Sequence, residues 1–233
     1  MDLNEFKLHG LGIDKEKFGK IYTFVDFGNV NKWFDNDERD WDNNILLKHQ
    51  KLIVDIEKLA NFINLFSAQK RFYYGFDPKK PASLHISIKA EDNGFIKANK
   101  PIQWIKHYIN DGDLFVGSKS IERDGYGFFI KIPKCNFDVE ICLDAVRLRD
   151  YYDTICLFSS DNDFTKLLEF LRKEGKQVIL LESGHVSYFL KEQADLPINA
   201  QQIKGSICII KNKQKPRLLE SGIWKSDSHP RAG

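Results

Sequence analysis

Four short apolar runs, each closed by a polar turn, set the rhythm of this chain: Ile21 to Val25, Lys70 to Phe76, Thr154 to Phe158 and Lys176 to Glu182. Rich in β-branched and aromatic residues with little alternation, they read as strands buried on both faces. Between them the period changes. Ile56, Leu59, Ala60, Ile63 and Phe66 follow Asp55 at i, i+3, i+4, i+7 spacing, and Phe164, Leu167, Leu168 and Leu171 repeat it up to Gly175, which predicts two amphipathic helices. Strand, helix and strand within residues 21–76 form a βαβ unit, which requires parallel pairing. The pattern therefore predicts an α/β fold: a three-layer doubly wound, Rossmann-like domain around a mainly parallel sheet.

The rest of the chain is placed around that body. Residues 1–20 are mixed and predict an N-terminal arm with a short helix; the domain runs over 21–210. Residues 33–50, rich in Asp, Asn and Trp without a period, predict an exposed loop over the strand ends. From 77 to 133 the pattern loosens into an inserted section, with a short helix from Pro101 to Ile105, strands at Leu114–Gly117 and Tyr126–Ile132, and a turn at Glu122–Gly125. That section either selects substrate or is structural. Ser187 to Ala194 predicts a last helix, and the basic residues 211–233 a flexible tail.

Composition narrows the classes. The 233 residues are 42% hydrophobic, enough for a sizeable core. They contain no run of about 18 apolar residues and no basic-then-apolar leader at Met1–Lys7, which predicts a cytoplasmic protein with no membrane partner. Cys135, Cys142, Cys156 and Cys208 match no zinc spacing and read as free thiols. Net charge is +2, so the overall field says nothing about nucleic acid. Local groups such as Lys79–Lys80, Lys97 with Lys100, Lys131 with Lys134, and Lys211 to Arg217 either track a phosphate backbone or form a solvated surface. Trp33, Trp41, Tyr73, Tyr74 and Trp104 either stack on bases or fill the core.

Three acidic positions carry the chemistry. Asp26 ends the first apolar run, followed by Gly28, Asn29 and Asn31; Asp161 and Asp163 follow Ser159 and Ser160 where another run ends. Asx turns and helix caps account for one such residue at a time. Two carboxylates two residues apart repel, and a cation between them relieves the repulsion. The carboxyl ends of parallel strands are also where ligands collect in open α/β sheets. The third position is Asp138, at the start of a helix whose stripe is Phe137, Ile141, Asp144 and Leu148; a helix dipole alone favours an acid there. Asp144 lies on the apolar stripe, where an unpaired carboxylate is costly, so it pairs with a base, orients a neighbour or approaches a metal. Asp26-Phe27-Gly28 shares its letters with a kinase metal motif, but no nucleotide-binding lobe precedes it. The histidines show no paired spacing.

Taken together, Phe24-Val25-Asp26-Phe27-Gly28-Asn29, the segment from Lys134 through Asp138 to Asp144-Ala145, and Ser159-Ser160-Asp161-Asn162-Asp163-Phe164 resemble the NYN domain family, the LabA-like branch of the PIN-like nucleases. The resemblance leaves residues 77–133 unmatched. Cys135 stands where the family usually has Gly, and Asn162 where Gly or Ser is commoner. It implies a ribonuclease that cleaves RNA with one or two Mg2+ or Mn2+ ions held by Asp26, Asp138, Asp161 and Asp163. Asn29, Ser160 and Asp144 are then supporting residues, and Lys134 a nucleic-acid contact. The competing readings are a non-catalytic RNA- or protein-binding module on the same fold, with a protein partner or a second copy, and a phosphatase, which the absence of an Asp-x-Asp pair in the first strand disfavours.

Overall fold

The computed structural model describes residues 2–109 and 121–213. The chain opens with α1 (Leu3–Gly10) and α2 (Lys15–Phe18), which with the turn between them seat Leu8, Ile13 and Phe18 in the core. Then follow β1 (Ile21–Asp26), the single turn α3 (Phe27–Val30), β2 (Gln50–Val54), α4 (Ile56–Asn64) and β3 (Gln69–Phe76). Asp55 caps α4 by accepting the Lys58 amide at 3.0 Å. After these come α5 (Pro81–Asp92), β4 (Ile96–Pro101), β5 (Gln103–Tyr108), β6 (Ile121–Asp124) and β7 (Gly127–Lys134). The second half runs α6 (Asp138–Arg147), β8 (Thr154–Phe158), α7 (Thr165–Lys173), β9 (Gln177–Glu182), α8 (Tyr188–Lys191), β10 (Leu196–Asn199), α9 (Lys204–Ile207) and β11 (Cys208–Asn212).

Six strands form one parallel sheet in the order β10-β9-β8-β1-β3-β4. Side chains alternate across it. Ile21 and Val25 of β1 point into one apolar layer with Leu59 and Ile63 of α4; Tyr22 and Phe24 point into the other with Ile141 of α6 and Leu168 of α7. This is the expected three-layer α/β domain. From β1 the chain winds outward through β3 and β4, then returns to β8 on β1's other flank and winds out through β9 and β10. The reversal puts a crevice over the carboxyl ends of β1 and β8.

The section from 77 to 133 divides in two. Its first part, α5 and β4, extends the central sheet beside β3. Its second part is a separate antiparallel sheet, β5-β7-β6. The expected helix from Pro101 is instead the end of β4 and the start of β5, because Gln103–Tyr108 pairs residue for residue with β7. The expected turn at 122–125 is largely β6, and the reversal falls after Asp124. The expected strand at 114–117 lies outside the described residues. Phe34 is buried, so the 33–50 loop is anchored at its start rather than wholly exposed. Beside the domain, β11 pairs antiparallel with β2 through Asn212, two residues into the stretch read as tail; residues 214–233 lie outside the described part. All four cysteines are free thiols. Among the described residues no helix is long and apolar enough to cross a membrane.

Candidate metal centre over the first and eighth strands

The crevice is an acidic cleft of about 410 Å3, with Asp26, Asn29, Asp138 and Asp161 in its lining. Asp26 is the last residue of β1 and Asp161 stands three residues past β8, so parallel neighbours deliver both to one edge. Asp138 arrives from the other side as the first residue of α6. Carboxylate oxygens of Asp138, Asp161 and Asp163 lie within 4.8 Å of one another. Asp26 is not one of this trio; it lines the same cleft behind it.

The polar scaffold is short-range and specific. Asn29 Oδ1 accepts the Ser160 amide at 3.1 Å and the Trp33 indole N–H at 2.7 Å, which ties the turn after β1 to the turn after β8. Ser159 Oγ donates to Asp26 Oδ2 at 3.1 Å and accepts the Asp161 amide at 3.2 Å. Asp161 Oδ1 accepts the Asp163 amide at 3.0 Å, the cap expected of this residue. Ser160 faces away from the carboxylates, its hydroxyl exchanging hydrogen bonds with the backbone of Ser183 at 2.9 Å. Asn136, not singled out in the sequence, holds Asp138 through both its amide oxygen, at 2.7 Å from the Asp138 N–H, and its amide nitrogen, at 2.6 Å from Oδ2.

Electrostatically the cleft is unbalanced. No Lys or Arg pairs with Asp26, Asp138, Asp161 or Asp163 among the described residues. Burial pushes the Asp26 carboxyl up to about 6, the Ser159 hydrogen bond opposes this, and the charges of Asp138 and Asp161 add to it. Asp138 is raised as well, by burial first and by Asp161 and Asp163 next. A cluster of hard oxygen donors without a counter-charge fits a divalent cation.

Other candidates fall elsewhere. Asp144 accepts the Tyr73 hydroxyl at 2.7 Å and faces Arg71 at 3.6 Å, so the acid on the apolar stripe is a paired one, outside the converging trio. Lys134 is exposed opposite Gln103 and does not line the cleft; Lys32 and Tyr74 do. Lys32 follows Asn29 and Asn31 closely enough to have been marked from the sequence. Tyr73 is core, and Trp33 packs flat against Phe158 at 6.1 Å between centroids, so neither is open to a base. A larger, more open hollow of about 570 Å3 lies on loop 36–43. Its Asp37 is taken by Lys204 at 2.6 Å and its Asp40 by amides of Asp42 and Asn44, leaving little for a ligand.

A doubly wound domain with carboxylates gathered at its switch point defines the structural class, and comparison with known proteins defines the family. The NYN domain profile matches residues 20–201, and the chain belongs to the NYN domain family. It is 30% identical over 165 residues to the low amplitude and bright protein LabA of Synechococcus elongatus, covering 64% of this chain and 87% of that one. The crystal structure of a protein of unknown function from Vibrio parahaemolyticus shares the fold, with a TM-score of 0.56 at 21% identity, over 82% of this chain and 96% of that one.

Proposed function

We propose that this protein is a metal-dependent ribonuclease that hydrolyses phosphodiester bonds of RNA, cutting within the strand, in the acidic cleft. The observation that carries the reading is the convergence of Asp138, Asp161 and Asp163 within 4.8 Å, with Asp26 lining the same cleft and, among the described residues, no Lys or Arg ion-paired with any of the four. Those four would hold Mg2+ or Mn2+. Bound there, such an ion supplies positive charge to the phosphate and eases removal of a proton from the attacking water.

The chain's own residues position and exclude. Asn29 and Ser159 lock the two strand-end turns together, so Asp26 and Asp161 hold their spacing before substrate arrives. Asn136 fixes the Asp138 carboxylate at the head of α6. Lys32, on the cleft wall, is placed to meet a phosphate, and Tyr74 offers a half-buried ring to a sugar or base. The assay is cleavage of a labelled RNA mixture with Mg2+ or Mn2+, with chelator, and with Asp161→Asn. Cleavage that needs both metal and Asp161 supports the reading. RNA bound in the presence of Mn2+ but never cut transfers the site to a binding module.

A further inference from the structure

The second sheet presents a surface that the acidic cleft does not use. We propose that the face of this sheet bearing Trp104, Lys106 and Tyr108 is a platform for unpaired RNA, whose bases stack on the two rings as the strand runs to the cleft. The inference rests on the ribonuclease reading for the nature of the polyanion.

Alternate residues of a strand share a face, so these three side chains point the same way, roughly 13 Å apart from first to last. Across the ladder they face Pro133, Lys131 and Phe129 of β7. Trp104 and Tyr108 are each 42% exposed, which base stacking requires and core packing does not. On the same face Phe129 is buried under its neighbours, with the Lys106 ammonium 4.5 Å and the Tyr108 ring 5.7 Å from its ring. Lys80, which faces Asp77 at 3.8 Å, stands 5.8 Å from the Trp104 ring.

The face is charge-balanced, and its lysines are the groups that the phosphates of a bound strand would meet. Lys106 and Lys131 stand directly opposite each other, an arrangement that costs stability unless offset. Asp124 and Glu122 of β6 offset it at 2.5 and 2.6 Å, but such solvent-facing pairs are weak, and phosphates can replace them. Protein-binding surfaces are depleted in lysine at their centre, whereas interleaved lysines and aromatic rings suit a nucleic acid strand. A duplex hides its base faces, so the platform selects single strands. Position completes the case: Pro133, the cross-strand partner of Trp104, also lines the acidic cleft, so the row starts at its rim.

The test is binding of a short fluorescent oligouridylate in chelator, followed by anisotropy, so that nothing is cut. Trp104→Ala with Tyr108→Ala should weaken binding at least about tenfold while circular dichroism shows the fold kept; because Tyr108 also donates to Asp124 and packs on Phe129, Tyr108→Phe, which keeps the ring, should bind like wild type. Lys106→Gln with Lys131→Gln should lower the salt dependence of log Kd by roughly one to two. Wild type should bind a duplex of the same length more weakly. Unchanged binding in the aromatic variant, or equal binding of duplex and single strand, overturns the platform. So does a change in oligomeric state without a change in RNA affinity, which would make the face a protein contact. Failure of the ribonuclease reading is separable, because it shows as RNA bound through Trp104 and Tyr108 but not cleaved with metal.

Discussion

The Tyr73 hydroxyl donates to Asp144 Oδ2 at 2.7 Å, joining the third strand of the sheet to the helix that begins at Asp138. Tyr73 is also the cross-strand neighbour of Asp26 and packs against Phe137, one residue before Asp138. One side chain thus touches both supports of the acidic cleft. Tyr73→Phe should cost about 1–2 kcal/mol, because it removes a hydrogen bond to a half-buried carboxylate. Asp144→Asn, combined with it in a double-mutant cycle followed by urea unfolding, should show coupling of at least about 0.5 kcal/mol; strict additivity would refute the link.

Asp161→Asn should lower RNA cleavage at least about 100-fold in Mg2+ while leaving the fold intact, the range expected when an electrostatic contact to developing charge is lost. Asn keeps the cap on the Asp163 amide, so a drop in thermal stability is not expected. Single-turnover cleavage and melting temperature, measured together, separate the two effects.

The protein without metal should be more stable at pH 5 than at pH 7.5. Asp26 titrates at about 6 when folded against an ordinary carboxylate value of 3.8, so between those values the folded chain holds the extra proton. Stability is therefore lost as pH rises from 3.8 to 6, about 3 kcal/mol over that whole window and about 1.4 kcal/mol of it between pH 5 and pH 7.5. Asp138 shifts in the same direction. The lowered carboxyls of Asp55 and Glu140 act oppositely, and only at more acid pH. Melting curves in chelator at the two pH values decide it. Asp26→Asn should flatten the difference, and Mg2+ at about 100 times its Kd should restore about 2.7 kcal/mol at pH 7.5.

Gly75→Ala should destabilise the domain by about 1–3 kcal/mol. A Cβ there would lie 2.5 Å from Cys135 Sγ and 2.6 Å from Cys135 Cβ, closer than side-chain atoms pack. Cys135→Gly in the same chain should recover part of the loss, whereas Cys135→Ala, which keeps the Cβ, should recover less. Urea midpoints for the three variants test this order.

The central strands were legible because burial on both faces writes a continuous apolar run, as in Thr154–Phe158. The edge strands were not. Ile96–Pro101 carries two lysines and an asparagine, and Leu196–Pro197–Ile198–Asn199 is short, so neighbouring strands rather than local composition make them extended. Gln103–Tyr108 alternates, yet its strand state depends on β7, whose first residue lies 24 positions beyond Gln103. At the candidate site, Asp26, Asp138, Asp161 and Asp163 stood out because acids followed apolar runs or opened a helix. Tyr73 and Asp144 are 71 residues apart, and nothing local in either segment announces their bond.

Trp33 donates its indole N–H to the same Asn29 oxygen that holds the Ser160 amide, and its ring lies against Phe158 at the end of β8. The protein therefore carries its own optical reporter. With Trp41, Trp104 and Trp224 replaced by phenylalanine, the remaining emission would come from an indole two hydrogen bonds, through Asn29, from the turn that presents Asp161. Its wavelength and lifetime would follow cation loading in solution without a dye, in a form suited to stopped-flow recording.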